Sequence, residues 1–411
     1  MTSPLHYTSI GDLSAQIRDQ KISPVDVVKH CLARIREHKK LNAFITVTEE
    51  QALTQAKLAE AEIKVGAWRG PLHGIPVGIK DFYDTAGIRT TAAFNYFQQR
   101  IPKNDADGVA KLKAAGAIII GKTNMHQLGM GTTGLESFFG AAHNPWNAAY
   151  IPGGSSSGSA VAVASGLCYA TFDTDAIGSC RLPAACCGVV GFKGTYNRTS
   201  VKGILEGEQP PDEMILWLSH AGITTRNVSE TALLLDVLAA NDHPKPKRFA
   251  TLVASPQTFR IGIGNNFIAE PDVATAFENA VATLRSLGHT LQHIAVPFGD
   301  LQQGIRNIEA DRATIDSTLF SDIDILVLPT TPTPTLTVAD ASENSQALSP
   351  ENTAFANYYG IPAISIPGGF DTNGLPLGLQ MVSRHWNELV VLQLAHQFQN
   401  ATAFGEKHPV A

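Results

Sequence analysis

The sequence predicts an α/β protein. Three observations carry this reading: a strand–helix–strand unit between Arg260 and Val296, short apolar runs bounded by glycine that suit a buried sheet, and amphipathic helices with readable starts and stops. In chain order, Ser23-Pro24 supplies a cap and a first-turn proline, and Val28, Cys31, Leu32 and Ile35 follow at helical spacing, predicting a helix packed by one face. Ile75, Val77 and Ile79 alternate as a strand that ends at Lys80-Asp81, and Ala117-Ile118-Ile119-Ile120 forms a second, fully apolar strand. A small-residue helix follows a Gly/Ser run and reaches Ser165. The later unit has a strand from Arg260 to Gly264, a helix from Pro271 to Leu287 with Phe277, Val281 and Leu284 on one side, a stop at Gly288, and a strand from His289 to Val296. Ile323 to Leu328 is another strand, Pro329 to Pro350 a Pro/Thr/Ser-rich loop, and Gly360 to Ile366 begins a last sheet segment. No internal repeat or interdomain linker is visible.

Composition narrows the function classes. The 411 residues carry 31 basic and 37 acidic side chains, a net charge of −6 without any block of like charge, which argues against a nucleic-acid binder. The longest uncharged run, Ser137 to Phe172, is broken by Pro145, Pro152, paired glycines and hydroxyl residues, so no membrane span is expected. The start, Met-Thr-Ser-Pro-Leu-His, has neither a basic region nor an apolar core, and the expected location is the cytoplasm. Five cysteines without CxxC spacing, Cys31, Cys168, Cys180, Cys186 and Cys187, offer neither a disulfide framework nor a zinc site. They read as small core residues, and neither a metal nor another cofactor is expected.

Residues 137–192 stand apart. They hold only three charges, Asp173, Asp175 and Arg181, where the chain average of 17% predicts about nine or ten, so this segment is expected to be buried and dense in backbone. Its Pro152-Gly-Gly-Ser-Ser-Ser-Gly-Ser159 run before a helix suits an anion or oxyanion site, and equally a turn between core elements. Two formal motif matches fail on context. Gly116-x-x-x-x-Gly121-Lys122-Thr123 fits a phosphate-loop expression, but its variable positions are the strand itself. Gly154-x-Ser156-x-Gly158 fits a nucleophile elbow, for which His126 or His143 would be the partner, but a loop rather than a strand precedes it.

A longer series of blocks is more specific. Gly74-Ile-Pro-Val-Gly-Ile-Lys80-Asp81, Gly121-Lys-Thr-Asn-Met125, Asn144-Pro-Trp146, Pro152-Gly-Gly-Ser-Ser-Ser-Gly158 and Thr174-Asp175 follow one another. Gly178-Ser179, Arg181-x-Pro183, Gly188-x-x-Gly191-x-Lys193, Gly360-Ile-Pro-Ala-Ile-Ser365 and Gly374-Leu-Pro-Leu-Gly378 complete the series. In this order and over most of its length, the chain resembles the amidase signature family of serine hydrolases. The resemblance implies a single α/β/α domain over residues 1–411 around a large mixed sheet, with residues 137–192 as its signature core. It also implies a catalytic triad of Ser179 as nucleophile, Ser155 as a bridging serine after a cis peptide, and Lys80 as base. Ala176, Ile177 and Gly178 are expected around the oxyanion, and Gly129, Met130 and Gly131 along the substrate.

The chemistry is coherent without the resemblance. Serine attacks an amide only beside a base, and lysine is a base only when burial keeps it neutral. Lys80, at the end of an apolar strand, would draw the Ser179 proton through Ser155 and return it to the leaving amine; the alternative is a lysine that snorkels to the surface. Ser156, Ser157 and Ser159 read as hydrogen-bonding support, and Arg181 as a structural cation. The expected function is a hydrolase of a small carboxamide, or a related amide, ester or carbamate, with an acyl-enzyme on Ser179. The alternatives are a glutaminase component of an amidotransferase and a noncatalytic binding relative.

Two departures from the family pattern bear on the pocket. Ile177 stands where most relatives have glycine, and its side chain is expected to narrow the acyl side, with the backbone N–H retained. Residues 298–323 are a shortened pocket-wall segment, so either the pocket is more open or a second protomer covers it, as a homodimer would.

Overall fold

The computed structural model describes residues 4–209, 212–239, 248–298 and 305–409. Its strands are β1 (Phe44–Val47), β2 (Pro76–Lys80), β3 (Ile118–Thr123), β4 (Ala170–Asp175), β5 (Val190–Lys193), β6 (His220–Thr225), β7 (Arg260–Gly264), β8 (Thr290–Ile294), β9 (Ile325–Pro329), β10 (Ala363–Phe370) and β11 (Pro376–Ser383). They form one eleven-stranded mixed sheet in the order β1-β3-β2-β4-β6-β5-β10-β11-β9-β7-β8. Two parallel groups, β3-β2-β4 and β9-β7-β8, are joined by an antiparallel centre in which β5 pairs with β10. The sheet therefore joins strands that are distant in sequence.

Helices cover both faces. Successive strand residues point to opposite sides. On one side of β4, Asp173 meets Ser159 of the Ser157–Ala164 helix; on the other, the Phe172 ring lies against Gly108 of the Asp107–Ala114 helix, where a Cβ would stand 2.3 Å from the ring. Strands covered on both faces read as continuous apolar runs, which is why Ile118-Ile119-Ile120 shows no alternation.

Most predicted elements lie where the local chemistry set them. The Pro24–Glu37 helix starts with the Ser23 hydroxyl accepting from the Val25 N–H and buries Val28, Cys31, Leu32 and Ile35. The Pro271–Ser286 helix buries Phe277 and Leu284 and is followed by Gly288 at φ 86°. The five cysteines are free and buried. The 329–350 loop is not wholly irregular: Thr337 caps a short Val338–Ala341 helix by accepting from the Asp340 N–H. The phosphate-loop expression ends inside β3, with Gly121, Lys122 and Thr123 all buried in the strand. No described helix is long and apolar enough to cross a membrane.

The carboxyl ends of β2 and β4 lie side by side because the two strands are parallel neighbours. In open α/β sheets this is where ligands bind. The Ser157–Ala164 helix packs over this part of the sheet, and Gly158 lets its first turn approach the backbone just before β1 and just after β3: a Cβ there would stand 2.3 Å from the Ala43 carbonyl oxygen and 2.5 Å from the Asn124 nitrogen. Gly158→Ala is expected to lower stability by about 1–3 kcal/mol through overpacking, read as a lower urea midpoint; an unchanged midpoint would show that the helix can retreat freely.

Candidate active site

Lys80 is the last residue of β2 and is wholly buried, so it does not snorkel to the surface. Its Nζ donates to Ser155 Oγ and to Thr174 Oγ1, each at 2.8 Å. Burial pushes its pKa down to about 8, opposed by the negative charge of Asp173 and, more weakly, by Cys180 and Asp175. An ordinary lysine is almost fully protonated near neutrality. Lys80 has an accessible neutral form there.

Two loops bring serines to this lysine. The Gly154–Ser155 peptide is cis, and the Ser155 carbonyl accepts from the His126 N–H at 3.0 Å. The next residue, Ser156, donates its N–H to the Ser179 carbonyl at 3.0 Å, which stitches the Ser155 loop to the Ser179 loop. Relative exposure falls from 5% at Ser179 to 1% at Ser155 and 0% at Lys80, so a molecule arriving from solvent meets Ser179 first.

The turn carrying Ser179 is held by a buried ion pair. Asp175, at the end of β4, accepts from Arg181 Nε at 3.0 Å and Nη2 at 2.8 Å, and from the Gly178 and Cys180 N–H groups at 2.8 and 3.2 Å. Arg181 also donates to the Thr353 carbonyl, Gln380 Oε1 and Asn357 Oδ1. Burial alone would raise the Asp175 carboxyl, but Arg181 and the Asn357 amide hold it well below the usual carboxylate range. With its guanidinium spent on these partners and no surface exposed, Arg181 is a structural cation.

This geometry divides the expected oxyanion residues. The Ala176, Ile177 and Ser179 N–H groups make no hydrogen bond among the described residues, whereas that of Gly178 is taken by Asp175. Gly178 instead carries the conformational demand of the turn: its φ is 130°, and a Cβ would stand 2.4 Å from Thr353 Oγ1. Ile177 keeps φ below zero, and its carbonyl accepts from Thr353 Oγ1. The Ile177 side chain is half-buried against an apolar cluster that includes Leu218, Ile308 and Tyr358. Ile308 begins the Ile308–Thr318 helix, which the short 298–323 segment contributes to this wall; residues 299–304 lie outside the described residues.

The 129–131 turn is also divided. A Cβ on Gly129 would stand 3.7 Å from Ser155 Oγ and 3.3 Å from the Phe82 ring, so Gly129 borders the serines. The Met130 side chain is 59% exposed, and its carbonyl accepts from Gln346 Nε2. Gly131 seats the His126 ring, whose Cε1 would lie 2.1 Å from a Cβ there. His126 is thus a packing partner of the turn. Burial lowers its pKa, opposed by Glu136 and assisted by Lys80. Sequence reasoning missed Thr174 as a partner of Lys80, and it missed Thr353, Asn357 and Gln380 as the frame of the turn. The one visible signal was the concentration of polar residues, Thr171, Asp173, Thr174 and Asp175, in an otherwise charge-poor segment.

The amidase family model matches residues 26–306 and 299–392. The chain belongs to the amidase signature family. It is an enzyme of a class that acts on carbon–nitrogen bonds. One similar protein is a component of the glutamyl-tRNA(Gln) amidotransferase of Geobacter metallireducens, 32% identical over 96% of this chain and 97% of the relative. That alignment spans 480 positions against 411 residues, so the relative carries insertions that this chain lacks. Among solved structures, 6-aminohexanoate cyclic dimer hydrolase superposes with a TM-score of 0.87 at 25% identity, covering 100% of this chain and 99% of that one. The peptide amidase of Stenotrophomonas maltophilia gives 0.81 at 25% identity, covering 97% and 98%.

The buried ion pair generates a direct test of the turn. Arg181→Met leaves Asp175 charged and unpaired inside the protein, and is expected to cost about 3–5 kcal/mol, measured by denaturant unfolding. A loss below about 1 kcal/mol, as for an exposed pair, would contradict the role given to Arg181.

Proposed function

We propose that the chain is an amide hydrolase that cleaves a small carboxamide, or a related amide, ester or carbamate, through an acyl-enzyme on Ser179. The observation that carries the reading is the buried Lys80 Nζ 2.8 Å from Ser155 Oγ, on a loop hydrogen-bonded to the backbone of Ser179. Neutral Lys80 accepts the Ser155 proton as Ser155 accepts that of Ser179, and Ser179 Oγ attacks the carbonyl carbon. The unpaired N–H groups of Ala176, Ile177 and Ser179 receive the oxyanion, at about 3 kcal/mol per donor in comparable sites. The relay then delivers its proton to the leaving amine, and water, activated by the same relay, frees the acid and restores Ser179. No metal or cofactor enters these steps.

The amidotransferase relatives support a second reading, release of ammonia from glutamine for a partner protein. The cluster around Ile177 is apolar, and its neighbouring cation, Arg312, is spent on the carbonyls of Tyr358, Trp217 and Asn357 and on the faces of Tyr196 and Trp217. This favours an uncharged acyl group over the zwitterionic end of glutamine. Labelling with a fluorophosphonate, peptide mapping, and a panel of neutral amides run beside glutamine test the choice. An adduct at Ser179 with turnover of neutral amides is expected; turnover of glutamine alone would favour the second reading, and no adduct would favour a binding relative.

Ser179→Ala and Lys80→Ala are each expected to abolish hydrolysis without unfolding the chain. Because both act in one relay, the double variant should be no worse than Ser179→Ala alone. A much larger loss in the double variant would break the shared relay. The pH dependence has a defined sign. Protonated Lys80 is inactive and its pKa is lowered to about 8, so kcat/KM should rise with pH through about 8 and level off above it. A limb of this kind that survives in Lys80→Ala would remove lysine from the role of base.

A further inference from the structure

A second charged side chain shares the sheet face of Lys80. The parallel register that sets Ile79 of β2 opposite Phe172 of β4 brings Lys80 beside Asp173 one rung later, and residues paired in this way project from the same face. Asp173 is wholly buried. Three hydroxyls converge on its carboxylate: Ser159 Oγ reaches Oδ1 at 2.5 Å, and Thr171 Oγ1 and Thr224 Oγ1 reach Oδ2 at 2.7 Å each. They come from the covering helix, from β4 itself and from β6. Thr123 Oγ1 lies 2.7 Å from Ser159 Oγ and extends the network to β3. Burial pushes the Asp173 carboxyl up, and the Ser159, Thr171 and Thr224 hydroxyls together with the neighbouring Lys80 ammonium oppose that and favour the anion.

Among the described residues the other buried charges near β2 have partners: Asp81, next to Lys80 in sequence, accepts from the Thr91 N–H and hydroxyl and is offset by the charge of Lys122. Among the described residues no direct ion pair joins Asp173 to Lys80, whose Nζ is turned to Ser155 and Thr174. Asp175 is neutralised by Arg181. Burial keeps the thiols of Cys180 and Cys168 and the hydroxyl of Tyr83, which donates to the Asp173 carbonyl, in their neutral forms, and it keeps His126 neutral on the Ser155 side. Across a dry interior an ionic charge acts well beyond hydrogen-bond range. Asp173 is the remaining anion.

We propose that Asp173 is a positioning residue for the base, whose fixed negative charge on the shared sheet face holds the proton on Lys80 and so sets the pH at which the relay switches on. The inference rests on the Lys80–Ser155–Ser179 reading above and deepens it. Burial favours the neutral amine of Lys80. The anion beneath it opposes that, and makes the enzyme pH-gated.

The rate at which a fluorophosphonate probe labels Ser179, followed across the titration of Lys80, tests this without knowledge of the natural substrate. In Asp173→Asn the rising limb is expected about one unit or more lower. Relative to its own plateau, the variant then labels about tenfold faster than the parent at a pH well below both midpoints. Structural loosening alone would lower the plateau and leave the midpoint in place, so an unmoved or raised midpoint overturns the proposal. Should Asp173→Asn not fold, Asp173→Ser decides, because it removes the same charge and leaves a hydroxyl that can join the network: a downward shift is again expected, and an unmoved or raised limb overturns the idea. Lys80→Ala separates the two levels. A limb that persists in Lys80→Ala discards the base reading itself, whereas a limb lost there but unmoved in Asp173→Asn discards only the role of Asp173.

Discussion

A lysine taken entirely out of water at the end of β2 is the constraint around which this part of the molecule is built. An unpartnered ammonium in that position would cost several kcal/mol, and the surrounding residues answer that cost. Ser155 and Thr174 accept its hydrogen bonds, and Asp173 supplies opposite charge from the neighbouring strand. In the proposed relay the same surroundings must also leave the neutral amine within reach. Burial favours the amine and buried negative charge favours the ammonium.

The turn that carries Ser179 poses a different electrostatic problem. An oxyanion site needs backbone N–H groups left without partners, which folded proteins ordinarily avoid. Here Asp175 and Arg181 provide the rigid frame: the carboxylate binds the N–H groups of Gly178 and Cys180 on either side of Ser179, and the guanidinium binds the carboxylate and the Thr353–Asn357 segment. With those positions fixed, the Ala176, Ile177 and Ser179 N–H groups have no partner among the described residues. Gly178, which at first sight belongs to the same set of donors, belongs to the frame. Isoleucine is tolerated at 177 because the positive φ falls on Gly178, so a β-branched residue meets no backbone penalty there.

The large sheet explains how residues so far apart in sequence become neighbours. Lys80 and Asp175 end adjacent parallel strands, and Arg181 reaches Gln380 on β11 and Asn357 before β10. The antiparallel centre of the sheet, where β5 meets β10, is what brings the final third of the chain to the turn that carries Ser179.

Local chemistry fixed much of this in advance. The Ser23-Pro24 helix start, the stop at Gly288, the apolar strands at Ile118–Ile120 and Ile325–Leu328 and the glycine-dense, charge-poor stretch all follow from backbone preferences and the burial of apolar side chains, which act over a few residues. Ordered motif blocks added the family and with it the candidate roles of Lys80, Ser155 and Ser179. What tertiary structure alone decided was partnership. Whether Lys80 snorkels or is buried, which N–H groups remain unpaired, that Gly131 seats a histidine ring while Gly129 borders Ser155, and that Asp173 shares a face with Lys80 all depend on strand register and helix placement. Spacing along the chain does not encode these, because a one-residue change of register would turn every side chain of β4 to the opposite face.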